Sequence, residues 1–212
     1  MVGWGRNDLT VATRHNQVIT YSFKPTGVDS AVNNHALGDK KKIESYAKVG
    51  KREYFLSAQS LSEDKTEIRE AKPEEEFLRL AGGVRSDGAE VVYLAYSTNG
   101  QLCIENYQSF NFIKTYCVEA GKDINELIFH NYRLFLSVEG ATYILTEDLE
   151  LIQTVNESLV EIVKDAVIFR SHSYDFVRRE RLTRQPIWSS KEDITISVAQ
   201  SGSHLTIFRD DI

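Results

Sequence analysis

Several strand-like segments carry apolar side chains on both faces, and this feature constrains the fold more than any other. Residues 90–98 (EVVYLAYST) and 132–138 (YRLFLSV) each contain few polar positions and lie beside a tight turn. A strand whose sheet has one solvated face alternates between apolar and polar residues instead. The pattern therefore favours sheets covered on both faces over a sandwich of two sheets.

Turn signals recur along the chain at a spacing that predicts a repeated β architecture. Six hairpins have turn centres near residues 15, 64, 99, 139, 174 and 201. Asn99-Gly100 is the strongest of these signals, because both residue types tolerate positive φ. The gaps bracket the ~40–45 residues of one propeller blade. We therefore predict an all-β, propeller-like array of about five to six antiparallel hairpin units, with residues 1–212 as one domain and residues 126–155 as the best-preserved unit.

This arrangement resembles a highly divergent β-propeller of the WD40-like kind over most of the chain. It lacks the Gly-His pair that precedes the blades of that family and the Trp-Asp pair that closes them. The resemblance implies stacked blades and a tendency to bind proteins, without roles for particular residues. Six complete four-stranded blades would need nearly every residue. We therefore expect an open or incomplete propeller, the N-terminal part of a longer protein, or a different all-β domain.

One segment predicts a short helix near residues 74–81. Pro73 suits the first helical position, and the acidic run Glu74-Glu75-Glu76 suits the positive end of the helix dipole. Gly82-Gly83 would end the helix. A polar loop is predicted over residues 24–42.

The two cysteines, Cys103 and Cys117, are predicted to remain reduced in an intracellular compartment. Symmetric pairing about a turn at Gln108-Ser109 places Cys103 opposite Lys114, so the sequence disfavours a disulfide. A chain of this length without a signal peptide is typical of a reducing compartment.

Two basic features interrupt an acidic chain and define the candidate partner-binding residues. The net charge is −6, and residues 60–164 carry nine basic against nineteen acidic side chains. Arginine and aromatic side chains are enriched at interfaces, whereas arginines on a solvated outer strand also discourage edge pairing. The candidates are Lys40, Lys41, Lys42, Tyr174, Arg178, Arg179, Arg181, Arg184 and Trp188.

The motifs of common enzymes are missing from the sequence. There is no G-x-S-x-G, P-loop or dinucleotide fingerprint, and the five histidines lie far apart. No apolar run reaches the roughly 20 residues of a membrane span. We predict no enzyme activity, no cofactor, no metal, no small-molecule substrate and no membrane partner.

The leading hypothesis is a non-catalytic scaffold that binds other protein subunits in an intracellular complex, in the cytoplasm or the nucleus. The alternative is an all-β nucleic-acid-binding subunit that uses the lysine run and the arginine cluster. The acidic remainder of the chain opposes that alternative, because nucleic-acid affinity depends on neutralising phosphates.

Overall fold

The computed structural model describes the chain as a succession of β-strands. The described residues are 2–4, 8–12, 17–25, 27–34, 42–64, 66–119, 123–163, 166–171, 177–181, 186–190, 195–201 and 204–210. Within them the fold is all β, as predicted, and no helix there is long and apolar enough to cross a membrane.

The strands form consecutive antiparallel meanders, each ordered in space as in sequence. Sheet 1 comprises β1 (Val2–Trp4), β2 (Asp8–Ala12), β3 (Gln17–Lys24) and β4 (Gly27–Asn34). Sheet 2 comprises β5 (Ser45–Val49), β6 (Arg52–Leu56), β7 (Ser60–Glu63) and β8 (Thr66–Glu70). Sheet 3 comprises β9 (Glu75–Val84), β10 (Glu90–Thr98), β11 (Gln101–Gln108) and β12 (Asn111–Val118).

The remaining strands repeat this plan. Sheet 4 comprises β13 (Ile124–His130), β14 (Arg133–Val138), β15 (Ala141–Thr146) and β16 (Leu151–Val155). Sheet 5 comprises β17 (Glu157–Val163), β18 (Ala166–Ser171), β19 (Val177–Arg181) and β20 (Pro186–Ser190). A last hairpin pairs β21 (Thr195–Ser201) with β22 (His204–Asp210). The six predicted hairpins are present, but the predicted loop over 24–42 is wrong in its first half, where β4 pairs with β3.

The chain divides into two compact units. Unit 1 comprises Met1–Lys122, Leu127–Leu134 and Thr146–Glu150. Unit 2 comprises Asp123–Glu126, Phe135–Leu145 and Leu151–Ile212.

The second strand of sheet 3 is buried on both faces, which confirms the interpretation of its sequence. Seven consecutive residues of β10, from position 91 to position 97, are buried. Val92 and Leu94 join an apolar cluster with residues of sheet 2. On the other face, the Tyr93 ring lies 5.3 Å from the ring of Phe129. Neighbours on both sides explain why no polar alternation is seen.

The predicted helix near residues 74–81 is wrong, because residues 75–84 form strand β9. This strand pairs with β10 along its whole length, with a bulge near Ala95. Gly82 and Gly83 do not end a helix. A Cβ on Gly82 would lie 2.5 Å from Val49 Cγ2, and one on Gly83 would overlap the ring of Phe129. The two glycines therefore let neighbouring strands approach β9 closely.

We predict that Gly82→Ala destabilises the protein although its backbone conformation suits alanine. Val49 is buried and cannot move aside freely, so the added methyl should cost about 1–3 kcal/mol by overpacking. The measurement is the free energy of unfolding in urea. Val84→Ala, at an exposed position of the same strand, should change it by less than about 0.5 kcal/mol. Equal effects of the two substitutions would contradict the close-approach explanation.

The prediction of reduced cysteines is also wrong, because Cys103 and Cys117 form a disulfide. The turn lies at Ser109-Phe110, so regular pairing would place Cys103 opposite Tyr116. A bulge then leaves Ile113 unpaired and shifts the register by one further residue, to Cys117. The expectation of an intracellular setting loses the support it took from reduced cysteines.

A buried ion cluster joins the outer strand of sheet 2 to sheet 3. The Arg69 guanidinium donates from Nη2 to both carboxylate oxygens of Glu75, at 2.8 Å each. Its Nε donates to Glu105 Oε2 at 3.3 Å, and Tyr107 Oη donates to the same oxygen at 2.5 Å. The guanidinium also lies 5.6 Å from the centre of the Phe77 ring. These contacts fix β8 against the beginning of β9.

The charge of Glu75 is stabilised in the folded protein. Burial raises the pKa of Glu75, but the Lys72 N–H and the Arg69 guanidinium outweigh that effect and hold the pKa below its usual value. Its side chain is only 4% exposed. A group whose pKa is lowered by folding adds stability above its unfolded pKa, and this stability is lost as the pH falls through the folded pKa.

We therefore predict that Glu75→Gln lowers the free energy of unfolding at pH 7 by about 2 kcal/mol, because a charged hydrogen-bond partner of Arg69 is lost. The difference in the free energy of unfolding between this variant and the wild type should narrow as the pH falls below the usual pKa range of carboxyl groups. Urea unfolding between pH 7 and pH 3 measures it. The matched control is Glu74→Gln at the exposed neighbour. A difference from the wild type that stays constant with pH would refute the role of the Glu75 charge.

Candidate interaction surface

Of the nine sequence-predicted binding residues, four lie outside the described part of the chain and four more are described only in their backbone. Lys42 is exposed, whereas Lys40, Lys41, Tyr174 and Arg184 lie outside the described residues. The backbone register of sheet 5 places Arg179 of β19 opposite Trp188 of β20, with Arg178 opposite Ser189. Arg181 is opposite Ala166 of β18. The binding role of this set stays a prediction.

Three tight turns in sheets 3 and 4 have positive φ at both central residues, the conformation of a type I′ hairpin turn. Asn99-Gly100 has the sequence that this turn favours, with φ of 48° and 80°. Ser109-Phe110 has φ of 46° and 70°, and Asn131-Tyr132 has φ of 49° and 60°. The last two turns therefore place an aromatic residue where glycine is preferred.

Phe110 and Tyr132 hold this conformation at a conformational cost. A left-handed conformation costs a residue with a side chain roughly 1–2 kcal/mol. The two residues are 50% and 52% exposed, so burial does not offset the cost fully. Strained residues that present side chains to solvent are candidates for a functional role. Because these two are aromatic, the role that fits best is contact with a partner.

More apolar surface continues from Phe110 onto β12, the edge strand of sheet 3. Phe112 and Ile113 are exposed, and together with Phe110 they form what we call the β12 surface. The bulge keeps Ile113 out of the regular pairing, while Asn106 Oδ1 accepts a hydrogen bond from the Lys114 N–H at 2.8 Å. The Phe112 ring meets the Tyr107 ring edge to face, with centres 6.1 Å apart. The surface is thus held in a defined shape.

A groove of about 610 Å³ adjoins the turn that carries Phe110. Its lining residues are Gly50, Lys51, Arg52, Gly88, Ala89, Glu90, Gln108 and Ser109. The charge of Arg52 is partly neutralised, because its Nε lies 3.3 Å from Glu90 Oε2 and its Nη1 lies 3.5 Å from Glu63 Oε1. The groove therefore offers polar groups of both signs beside an apolar rim.

Hydrogen bonds fix the loop after β9 to the turn between β15 and β16. Arg85 Nη2 lies 2.8 Å from Asp148 Oδ1. The Ser86 N–H donates to Glu147 Oε2 at 2.9 Å, and Tyr93 Oη donates to the Glu147 carbonyl at 2.9 Å. Burial lowers the pKa of Arg85, but Asp148 and the neighbouring carboxylates raise it overall. Arg85 therefore stays charged, and charged hydrogen bonds connect this end of sheet 3 to the turn between β15 and β16.

An acidic pocket of about 310 Å³ lies at the other end of β9 and β10. Its acidic members are Glu74, Glu75 and Glu76. The Glu75 carboxylate is already bound by Arg69. Among the described residues, no group of three His, Cys, Asp or Glu side chains could hold a metal ion.

Comparison with known proteins establishes the fold alone. No protein-family model matches the chain, and no curated protein matches it in sequence. Solved β-propellers are similar in structure. They include the Neurospora crassa Pan2 WD40 domain (TM-score 0.61, 10% identity), the Dos1 propeller (0.63, 13%) and BBS1N in complex with ARL6DN (0.60, 13%).

The similarity extends over nearly the whole of this chain. It covers 91% of the chain for the Pan2 domain, 98% for the Dos1 propeller and 94% for BBS1N. The chain spans 65%, 63% and 67% of those three proteins in turn. Together with the successive four-stranded meanders, these matches confirm a divergent β-propeller-like fold.

We predict that Phe110→Gly leaves the protein at least as stable as the wild type, because glycine adopts positive φ without strain. Phe110→Ala should be less stable than Phe110→Gly by about 1 kcal/mol, since alanine keeps the strain and lacks the ring. Urea unfolding of the two variants measures the difference. If both variants lost the same stability, the ring would be a structural contact and the turn unstrained.

Proposed function

We propose that the chain is a non-catalytic scaffold that binds other proteins within a multiprotein complex. The observation that carries the proposal is the pair of exposed aromatic residues, Phe110 and Tyr132, held in strained turns. Because the two side chains are half exposed, packing within the chain offsets the cost of this conformation only in part. A partner that covered the rings would offset this conformational cost, because aromatic side chains contribute much of the binding energy at interfaces.

Both aromatic turns lie at the same end of the sheets in unit 1. Gly83 at the end of β9 faces Phe129 near the end of β13, so the turn at Tyr132 lies beside the end of β9. The loop after β9 contributes Gly88 to the groove, and Ser109 beside Phe110 lines the same groove. A partner could therefore meet aromatic rings and a polar groove within one surface.

The structural relatives include an example of protein binding by this fold. BBS1N was solved in complex with ARL6DN. We extend this property, the binding of another protein, to the present chain. The proposed contact surface combines the β12 surface, the groove and Tyr132.

The test is recovery of partners by the full tagged chain, compared among matched variants. We expect Phe110→Gly/Tyr132→Gly to lose partners that the wild type retains, while the stability of the chain is preserved. With a purified partner, each aromatic substitution should weaken binding about 30-fold, the effect of losing an interface hot spot of about 2 kcal/mol. Isothermal titration calorimetry measures this change.

Two controls separate this surface from others. Val28→Ser removes an exposed apolar side chain on β4 and should leave binding unchanged. A combined substitution of Arg178, Arg179 and Arg181 tests the sequence-predicted cluster. If the arginine variant lost its partners while the aromatic double variant kept them, the binding surface would lie on sheet 5. That result would refute the present assignment.

A further inference from the structure

The disulfide between Cys103 and Cys117 presents its two sulfurs to different surroundings. Cys103 on β11 is 1% exposed and belongs to the apolar cluster shared by sheets 2 and 3. Cys117 is exposed on β12, the edge strand of the sheet. Both lie on one face of sheet 3, because they are directly paired, with Cα atoms 4.1 Å apart.

This asymmetry determines which sulfur a dissolved thiol can attack. A thiolate displaces one sulfur of a disulfide by attacking the other, and access decides between them. The S–S bond connects an inner strand with the edge strand, so the approach to Cys117 Sγ comes from solvent. The approach to Cys103 Sγ would pass across β10, whose residues 91–97 are buried.

We propose that Cys117 is a site of mixed-disulfide formation with low-molecular-weight thiols of the glutathione class. The thiolate forms a new S–S bond to Cys117 Sγ, and the bond to Cys103 breaks. The electron pair of that bond leaves on Cys103, which takes up the proton released when the attacking thiol ionised. One thiol and one disulfide thus give one mixed disulfide and one Cys103 thiol.

The surroundings of Cys103 make the modification reversible. Cys103 Sγ lies in an apolar cluster, which stabilises a departing thiolate poorly, so the equilibrium favours the intact disulfide. The adduct should therefore accumulate only with an excess of the thiol. When the thiol is removed, Cys103 lies directly across from Cys117 and can displace the adduct, which restores the original bond.

The thiol adduct on Cys117 would lie on β12, the strand that also carries part of the proposed contact surface. Cys103 and Tyr107 lie four residues apart on β11, so their side chains share a face of the sheet. Each is paired across to β12, Cys103 with Cys117 and Tyr107 with Phe112. Phe112 and Cys117 therefore also share a face. An effect on partner binding rests on the proposed function, whereas the modification itself needs no partner and is tested without one.

The test incubates the folded full chain with excess reduced glutathione, followed by acid quenching, alkylation and peptide mapping by mass spectrometry. The expected glutathione adduct is on Cys117, in about tenfold or greater excess over Cys103. Dialysis against buffer without thiol should restore the Cys103–Cys117 bond. An adduct mainly on Cys103, equal labelling, no adduct, or a map of the untreated protein with both thiols free would overturn the proposal.

Two single variants test the same asymmetry by another route. Cys103→Ala leaves Cys117 as the free thiol, and Cys117→Ala leaves Cys103. With the thiol reagent dithionitrobenzoate, Cys117 should react about 100-fold faster than Cys103 in the native state, because a buried thiol must wait for local opening. The rates should converge in urea. Equal reaction rates of the two thiols in the native state would contradict the proposal. If a variant fails to fold, the peptide mapping of the wild type still tests the proposal.

Discussion

The close approach of neighbouring strands to both faces of sheet 3 is the constraint on which unit 1 depends. β10 can keep seven residues in succession out of water only because apolar side chains meet it from two sides. That stacking requires β9 to carry no side chain at Gly82 and Gly83. Two missing side chains therefore permit the burial of many others, and they explain why the glycines lie inside a strand.

Polar contacts determine how the strands of this apolar stack align with one another. The Arg69 cluster connects β8 to β9 and β11, and the Arg85 contacts connect the loop after β9 to the turn that follows β15. Both arginines are largely buried and both face more than one carboxylate. Buried charges tolerate only arrangements in which they are paired. The two clusters therefore fix how neighbouring strands align, which apolar packing alone would leave less defined.

Much of the fold could be predicted from the sequence, because its signals are local. Two-sided apolar strands and Asn99-Gly100 indicated covered sheets and hairpins, and both were confirmed. The prediction of a helix near residues 74–81 is wrong because its signals are ambiguous. Pro73, three glutamates and two glycines fit a helix with defined ends, and they also fit a strand that its neighbours approach closely. Only the neighbouring Val49 and Phe129 distinguish the two cases, and they lie far away in sequence.

The candidate surface was harder to predict from the sequence. Ser109-Phe110 and Asn131-Tyr132 lack the Asn-Gly type of turn signature, since aromatic residues are unfavourable at positive φ. The sequence places the first of these turns one residue early, at Gln108-Ser109. One signal was available at the first turn, where the aromatic residues Tyr107 and Phe112 pair across it. Of the sequence-predicted binding residues, Lys42 is exposed and the others lie in regions where their side chains are not described. The candidate surface is thus marked by backbone geometry and not by a charge pattern.

The bulge at Ile113 has a consequence for how this hairpin can vary. Five residues separate Cys103 from the turn, but six separate the turn from Cys117, and the unpaired residue absorbs the difference. Loss of any one residue from the shorter arm would bring Tyr116 opposite Cys103 and turn Cys117 to the other face of the sheet. The disulfide therefore restricts changes of length between the two cysteines. A change of length that preserves it must either alter both arms equally or remove the bulged residue, which makes the arms equal and pairs the two cysteines in a regular ladder.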